Sequence, residues 1–236
     1  MHRCLIFDAD DTLWENNIYF QRAIEEFLAV MKPIAPEQTQ IRALLNKVER
    51  ELIPKGGYGT RNFLAALKET CCRLYKGKDG ASYLRQIDEI GTWLLQHPMQ
   101  LRPGVMETLS CLHDQYRLMV FSKGEFQEQW GKLDRSGLRS YFDRVVIVEE
   151  KDTPAYEGLL REHLLHPDRT YMIGNSPRSD ILPALAAGLW AVFIPHPHTW
   201  ELEEHPVEPH PRLLQAQSIA QLPDLLAEHS SKTHSH

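Results

Sequence analysis

The sequence is poor in cysteine and lacks the spacings that disulfide frameworks or thiolate metal sites use. Four cysteines occur in 236 residues; Cys71 and Cys72 are adjacent, and no C-x-x-C motif is present. Adjacent cysteines rarely bridge one another, and so sparse a set does not cross-link a chain of this length. We therefore expect reduced thiols, as is typical of a cytoplasmic protein.

The sequence also lacks a long apolar run and an excess of positive charge. The N-terminal apolar run, Cys4 to Phe7, is followed at once by charged residues, so no secretory signal is indicated. No segment approaches the roughly 20 apolar residues of a membrane-crossing helix. The formal net charge of −6 gives no indication of a nucleic-acid partner. We expect a soluble, cytoplasmic protein with no nucleic-acid or membrane partner.

Between residues 17 and 98 the apolar residues recur at helical spacing. The segments with this spacing are Ile18 to Met31, Pro36 to Leu52, Thr60 to Tyr75 and Tyr83 to Leu95. Turn-forming residues separate them, for example Lys78 and Asp79 between two glycines. No strand-like segment interrupts them, so residues 17–98 are predicted to form a compact helical insert.

The rest of the chain alternates between strand-like and helix-like segments. Short apolar runs typical of buried strands lie at 3–7, 117–121, 145–148, 170–173 and 191–194, and a closing helix is predicted at 219–228. Such alternation indicates an α/β fold with a parallel sheet covered on both faces. Residues 1–16 and 99–228 are therefore assigned to one discontinuous core. The polar segment 229–236 is predicted to be a disordered tail.

Polar side chains follow the predicted strands at their carboxyl ends. They are Asp8, Asp10, Ser122, Lys123, Lys151, Asn175 and Asp180. In an open α/β sheet, this edge is where ligands bind. We therefore expect residues that are far apart in the chain to converge at one site.

Asp8 and Asp10 are spaced for paired carboxylate chemistry. In a loop that leaves a strand, one acid acts as nucleophile and the other as general acid or base. A carboxylate is a weak nucleophile, so the attacked centre must be strongly electrophilic, as phosphorus is in a phosphate ester held by Mg²⁺. Mg²⁺ prefers oxygen ligands, and Asp8, Asn175 and Asp180 provide them.

The second predicted strand end has the features of a phosphate-binding loop. Ser122, with the amides of Lys123 and Gly124, is expected to bind phosphate oxygens at a helix N-terminus. Lys151 adds positive charge. Phosphoryl transfer depends mainly on such positioning and charge stabilisation.

Four segments resemble the ordered motifs of the haloacid dehalogenase superfamily of hydrolases. The segment Leu5–Leu13 (LIFDADDTL) resembles the first motif, and Val120–Gly124 (VFSKG) resembles the second. Lys151 in EEKD resembles the third, although Asp152 replaces a common proline. Met172–Asp180 (MIGNSPRSD) resembles the fourth. Their order and spacing match across essentially the whole chain.

The resemblance implies a Rossmann-like three-layer core with an all-helical cap domain inserted after the first strand. It implies that Asp8 is the nucleophile and that Asp10 protonates the leaving oxygen and then activates water. The Asp8 side chain, the Asp10 carbonyl and the acids of the fourth motif would hold Mg²⁺. Ser122 and Lys151 would bind the phosphoryl group of a small phosphorylated metabolite.

The fourth motif departs from the family pattern at Asn175, where the family usually has Asp. Asn provides an oxygen without the charge, so weaker metal binding or direct ligation by Asp180 are both open. The sequence does not distinguish between the two residues as direct ligands.

Alternative functions follow from the same residues. A phosphosugar mutase uses the same groups while excluding water. A catalytically weak binding protein with this fold is the other alternative, since fold does not fix function. Asp10 argues against a true dehalogenase. The histidines at 196, 198, 205 and 210 lack helical ligand spacing and predict a solvated loop. The sequence gives no indication of oligomeric state.

Overall fold

A single parallel sheet lies at the centre of the larger part of the molecule. The computed structural model describes residues 3–35, 37–77 and 80–233. Within them, the sheet strands are β1 (Cys4–Phe7), β2 (Arg117–Lys123), β3 (Arg144–Val148), β4 (Thr170–Gly174), β5 (Trp190–Phe193) and β6 (Leu213–Gln215). Their order is β3-β2-β1-β4-β5-β6, and all neighbouring pairs are parallel. The predicted α/β class is confirmed. Strand β6 was missed, because three residues are too few to show a periodicity.

Helices connect the strands and form the insert. They are α1 (Asn17–Met31), α2 (Gln38–Gly56), α3 (Thr60–Leu74), α4 (Gly80–Gln96), α5 (Val105–Leu112), α6 (Phe126–Ser136), α7 (Thr153–Glu162), α8 (Leu182–Ala186) and α9 (Leu222–Thr233). Pro36 and the turn predicted at Lys78 and Asp79 lie outside the described residues. Within the described ranges, none of these helices combines the length and apolarity needed to cross a membrane.

The sheet separates two apolar clusters, as the alternation of side chains along β1 requires. Leu5 and Phe7 face one side, where they pack in a cluster with residues of α5, α6 and α9. Cys4 and Ile6 face the other side and pack with residues of α7 and α8. Successive strand residues point to opposite faces, so a strand buried on both faces is apolar throughout. The result is the expected three-layer core.

By its internal contacts the chain divides into two compact units. One comprises Met1–Asn17 with Met99–His236, and the other is Ile18–Pro98. The second unit contains α1 to α4 with its own apolar core, in which Phe27, Ile41, Leu67 and Ile87 are almost completely buried. Each of these residues comes from a different helix, as amphipathic helices in a bundle require. That this unit is a cap stays a prediction.

The disordered tail predicted from residue 229 is wrong for its first residues. Helix α9 continues to Thr233, five residues beyond the predicted end at 228. His229 packs at an edge against Trp190, with ring centroids 4.2 Å apart, and its Nδ1 lies 3.0 Å from the Tyr171 hydroxyl. These contacts explain why a polar segment is ordered. Residues 234–236 lie outside the described part.

Candidate active site

The loop after β1 is fixed by hydrogen bonds at both of its ends. The amide of Asp8 donates to the Ile173 carbonyl at 2.9 Å, which continues the β1–β4 ladder beyond the strand. Asp11 has a left-handed backbone, with φ 62°. Its buried carboxylate caps α1 by accepting from the amides of Asn16 (2.9 Å) and Asn17 (3.0 Å). Burial raises the pKa of Asp11 to about 7, although both amides favour its ionised form. The loop therefore holds Asp8 at the carboxyl edge of the sheet.

Lys151 joins the first and fourth motifs at this edge. Its ammonium lies 2.5 Å from Asp8 Oδ1 and 2.8 Å from Asp180 Oδ1. The Lys151 and Asp180 side chains are each 1% exposed, and that of Asp8 is 11% exposed. A buried charge is costly unless it is paired. The sheet edge therefore brings together three of the predicted residues in one ionic cluster.

The cluster shifts the pKa values of its members. Burial alone lowers the pKa of Lys151, but Asp180 and Asp8 outweigh it and raise that pKa. For Asp8, burial and the neighbouring Asp180 carboxylate raise the pKa to about 7, against the opposing effect of Lys151. The Lys151 ammonium therefore stays charged, whereas the pKa of Asp8 lies well above the usual range of a carboxyl group.

A tight turn after β4 positions Asp180. This turn, Pro177–Ile181, has π-helical hydrogen bonding, and the Ser176 amide donates to Asp180 Oδ2 at 2.9 Å. A Cβ on Gly174 would lie 2.6 Å from the Asp180 Cβ, closer than side chains allow. Gly174 is therefore required for the close approach of the Asp180 side chain to the end of β4.

Asn175 lies with Asp8 around a shared hydroxyl. Thr12 Oγ1 is 2.9 Å from Asp8 Oδ2 and 3.1 Å from Asn175 Oδ1. The Asp180 oxygens, in contrast, accept from Lys151 and from a backbone amide. The potential metal-ligand atoms grouped here, on Asp8 and Asn175, are oxygens, which suit Mg²⁺. The residues present therefore fit this ion, and the assignment of Asn175 or Asp180 as its direct ligand stays a prediction.

A second group of metal-ligand types lies beside the site. Ligand atoms of Asp11, Glu15 and His196 lie within 4.8 Å of one another. His196 Nε2 lies 3.0 Å from Glu15 Oε2, and its Nδ1 accepts from the His198 amide at 3.2 Å. Burial and the nearby Arg102 lower the pKa of His196. The prediction of a solvated loop is wrong for His196, whose side chain is 2% exposed, because it pairs with an acid of the first loop.

Ser122, the next-to-last residue of β2, has a buried side chain. Gln129 Nε2 donates to Ser122 Oγ at 2.9 Å. We expected Ser122 to stand at a helix N-terminus, and this expectation is wrong. Helix α6 begins at Phe126, and the Glu125 carboxylate accepts from the amides of Gln127 and Glu128. The first turn of α6 is thus capped by an acid, and phosphate binding by Ser122 stays a prediction.

Lys123 interacts with acids of two other loops, one after β3 and one between β5 and β6. Its ammonium lies 2.5 Å from Glu203 Oε1 and 3.2 Å from a Glu150 oxygen, and it donates to Ser179 Oγ at 2.9 Å. The other Glu203 oxygen accepts from Ser176 and Ser179. Burial acts against ionisation of Glu203, but Lys123 and both hydroxyls hold its pKa below the usual range. The role of Lys123 in phosphate binding stays a prediction, and its observed partners are these acids.

The Asp10 carboxylate pairs with Lys132. Lys132 Nζ lies 3.1 Å and 2.9 Å from the two Asp10 carboxylate oxygens, which also accept from Gln129 and Trp14. Burial raises the pKa of Asp10, but Lys132, Gln129 and Trp14 together lower it below the usual value. The two acids of the first motif are therefore held by different cations, Asp8 by Lys151 and Asp10 by Lys132.

The sequence interpretation missed Gln129, Lys132 and Glu203. Gln129 and Lys132 are three residues apart on the helix that follows the second motif, so they share one face. This spacing could have indicated from the sequence that both side chains point towards the same site. Glu203 lies in an irregular segment between β5 and β6, where no periodicity indicates which side chain turns inward.

The fold and the site define an α/β protein with a polar cluster at the carboxyl edge of a parallel sheet, the edge at which proteins of this class bind ligands. Residues 2–188 match the family described as haloacid dehalogenase-like hydrolase. The chain therefore belongs to this family and is a hydrolase. The resemblance seen in the sequence is confirmed.

Named relatives cover most of the chain. Glyceraldehyde 3-phosphate phosphatase of Methanothermobacter thermautotrophicus is 31% identical over 200 residues, which are 82% of this chain and 86% of the relative. Human N-acylneuraminate-9-phosphatase is 27% identical over 236 residues, covering 95% and 93% of the two chains. The crystal structure of a haloacid dehalogenase-like hydrolase from Xanthomonas campestris has a TM-score of 0.85 at 29% identity, covering 100% of this chain and 99% of that one.

Proposed function

We propose that this protein hydrolyses small phosphomonoesters with Mg²⁺ through a covalent aspartyl-phosphate on Asp8. One observation carries the proposal: the Asp8 carboxylate lies between Lys151 and Thr12 at the carboxyl edge of the sheet, 2.5 Å and 2.9 Å from their polar atoms. A carboxylate held beside a buried cation is suited to attack a centre whose negative charge the cation then stabilises.

In the first step, an Asp8 oxygen attacks phosphorus and the bond from phosphorus to the ester oxygen breaks. Asp10 transfers a proton to the departing oxygen, which leaves as an alcohol. Lys151 and the Ser122 loop bind the phosphoryl oxygens. Asp8, Asn175 and the Asp10 carbonyl would hold Mg²⁺, which would supply positive charge that favours ionised Asp8 and offsets the phosphate charge.

In the second step, water attacks the phosphorus of the aspartyl-phosphate. Asp10, now ionised, accepts a proton from this water, and the bond between Asp8 and phosphorus breaks to release inorganic phosphate. The interactions that lower the pKa of Asp10 favour the ionised form that this step requires, whereas the first step requires the protonated form. Each turnover returns Asp8 and Asp10 to their starting states.

The names of the relatives support a small phosphorylated substrate. One is named for the phosphate ester of a triose and the other for the 9-phosphate of an acylneuraminate. Both names specify phosphatases of small metabolites. We infer the same class of substrate for this chain.

The test is phosphate release from a panel of phosphomonoesters by the wild type and Asp8→Asn, with Mg²⁺ and with a chelator. We expect the wild type to release phosphate only when Mg²⁺ is present. In rapid-quench experiments with ³²P-labelled substrate, the label should be transferred to the protein in an acid-stable form. Asp8→Asn preserves the shape of the side chain and should show neither. Equal, negligible turnover by both proteins across the panel would contradict the proposal. Formation of an isomerised phosphosugar without free phosphate would show instead that the protein is a mutase.

A further inference from the structure

The carboxylate of Asp10 is held by three hydrogen-bond donors. Lys132 Nζ contacts both oxygens, at 3.1 Å and 2.9 Å. Trp14 Nε1 donates to Oδ1 at 2.7 Å, and Gln129 Nε2 donates to Oδ2 at 2.9 Å. Because a rigid indole and a buried ammonium contact it together, the carboxylate has a fixed direction.

Burial and further polar partners hold the Lys132 side chain in this position. Its side chain is 9% exposed, and its ammonium also donates to Asn16 Oδ1 at 2.9 Å. The Glu128 carboxylate lies 3.7 Å away, one turn earlier on α6. Burying an ammonium is costly, and paired carboxylates and hydrogen bonds offset that cost. The position of Lys132 is therefore tied to that of Asp10.

Gln129 connects Asp10 to the second motif. Its Nε2 lies 2.9 Å from Asp10 Oδ2, from Ser122 Oγ and from the Lys123 carbonyl oxygen. All three neighbours accept hydrogen bonds, so the amino group must face them. Gln129 Oε1 is buried and has no hydrogen-bond partner among the described residues. An unpaired buried acceptor is unfavourable, which indicates that the orientation of the amide is set by its amino group.

We propose that Lys132 and Gln129 are positioning residues that direct the Asp10 carboxyl group towards the ester oxygen of the substrate. This inference rests on the proposed function, in which Asp10 gives its proton to that oxygen while the phosphorus–oxygen bond breaks. Lys132 and Gln129 exchange no proton with the substrate. They act through the direction of the Asp10 side chain.

The dependence on the leaving group distinguishes this role from a structural one. An alkoxide leaving group requires the proton from Asp10, whereas p-nitrophenolate is stable enough to leave without it. Misdirecting Asp10 should therefore slow the attack of Asp8 on alkyl phosphates selectively. The value of kcat/KM is the relevant quantity, because it excludes the later hydrolysis of the aspartyl-phosphate.

The experiment compares Lys132→Met, Lys132→Arg and Gln129→Leu with the wild type, using glycerol phosphate and p-nitrophenyl phosphate. For Lys132→Met we expect kcat/KM to fall by about 10–100-fold with the alkyl ester and by less than about threefold with the aryl ester. Lys132→Arg should recover most of the activity. Lys68→Met, which removes a lysine paired with Asp88 on the helical unit, is the matched control.

A second measurement does not depend on turnover. The indole N–H signal of Trp14 in a ¹H–¹⁵N spectrum, assigned through Trp14→Phe, should shift in Lys132→Met and in Asp10→Asn and stay unchanged in Lys68→Met. A proportional loss with both esters, or an unshifted Trp14 signal in Lys132→Met, would overturn the inference. A wild type that hydrolyses no ester would contradict the proposed function, and the Trp14 signal would still decide whether Lys132 holds Asp10.

Discussion

Lys151 donates to Asp8 across 143 positions of the chain, at 2.5 Å from Oδ1. The same ammonium lies 2.8 Å from Asp180 Oδ1, so one buried cation holds an acid of the first motif and an acid of the fourth. Removing a buried cation leaves both carboxylates uncompensated. The stability of the core and the ionisation of Asp8 therefore depend on the same side chain.

Replacing Lys151 with Met should destabilise the protein in a pH-dependent manner. At pH 8 we expect the free energy of unfolding to fall by about 3–5 kcal/mol, because the variant leaves two buried carboxyl groups without their cation. The pKa of Asp8 is raised to about 7, and without the lysine it rises further. A raised carboxyl pKa means that stability is lost as pH increases from the unfolded value towards the folded one. Urea unfolding should therefore show a smaller loss at pH 5 than at pH 8.

Lys151→Arg is the control for this prediction, because it keeps the charge while changing the shape of the donor. It should retain more stability than Lys151→Met at pH 8. Equal losses at both pH values in Lys151→Met would show that packing, rather than charge, accounts for the effect.

Replacing Asn175 with Asp should change metal affinity and metal-free stability in opposite directions. The side-chain oxygen of Asn175 is grouped with Asp8 around Thr12, and an added carboxylate there increases the charge offered to Mg²⁺. We expect the Mg²⁺ concentration for half-maximal activity to fall roughly tenfold, which corresponds to about 1.4 kcal/mol. Without metal, the new negative charge should lower the Tm.

Thermal unfolding with and without Mg²⁺ checks the same prediction independently of substrate. Asn46→Asp on α2, outside the site, controls for the change in net charge. A Tm of the Asn175→Asp variant that falls equally with and without Mg²⁺ would show that this position does not contact the ion.

Gly174→Ala should impair the site more than the fold. Its Cβ would lie 2.6 Å from the Asp180 Cβ, so Asp180 must move away from Lys151 and from the Ser176 amide. We expect kcat to fall at least about tenfold, since catalytic groups tolerate little displacement. Gly158→Ala is the matched control, because nothing lies within 4 Å of a Cβ there. As Gly158 lies within α7, alanine should stabilise the protein by about 0.5–1 kcal/mol. Comparable steady-state kinetics for the two variants would contradict the role of Gly174.

The sequence predicted the parts of the fold that depend on short-range pattern. Buried strands with polar residues at their carboxyl ends identify the sheet edge, and the order of motifs identifies which residues meet there. That reasoning brought Asp8, Lys151 and Asp180 together correctly, because all three directly follow or closely succeed a strand of the same parallel sheet.

The sequence did not predict which side chains complete the site from outside the motifs. Glu203 and His196 come from an irregular segment after β5, and their inward orientation depends on the acids and hydroxyls that the fold places opposite them. Lys132 appears in sequence as an ordinary helical lysine. Its burial follows from the position of Asp10, a residue 122 places earlier, which no local pattern contains.

Glu203→Gln tests whether contacts from this irregular segment stabilise the fourth motif. Glu203 accepts from Lys123, Ser176 and Ser179, and the pKa of its carboxyl lies below the usual value. A lowered carboxyl pKa contributes stability that is present above the unfolded pKa and is lost as pH falls through the folded one. The variant should lose about 2 kcal/mol at pH 7, or roughly 4–8 °C in Tm, and the difference from wild type should shrink below about pH 4. Glu204→Gln changes the exposed neighbouring acid and should have little effect. A loss in Glu203→Gln that stays constant down to pH 3 would assign it to packing instead of to the charged hydrogen bonds.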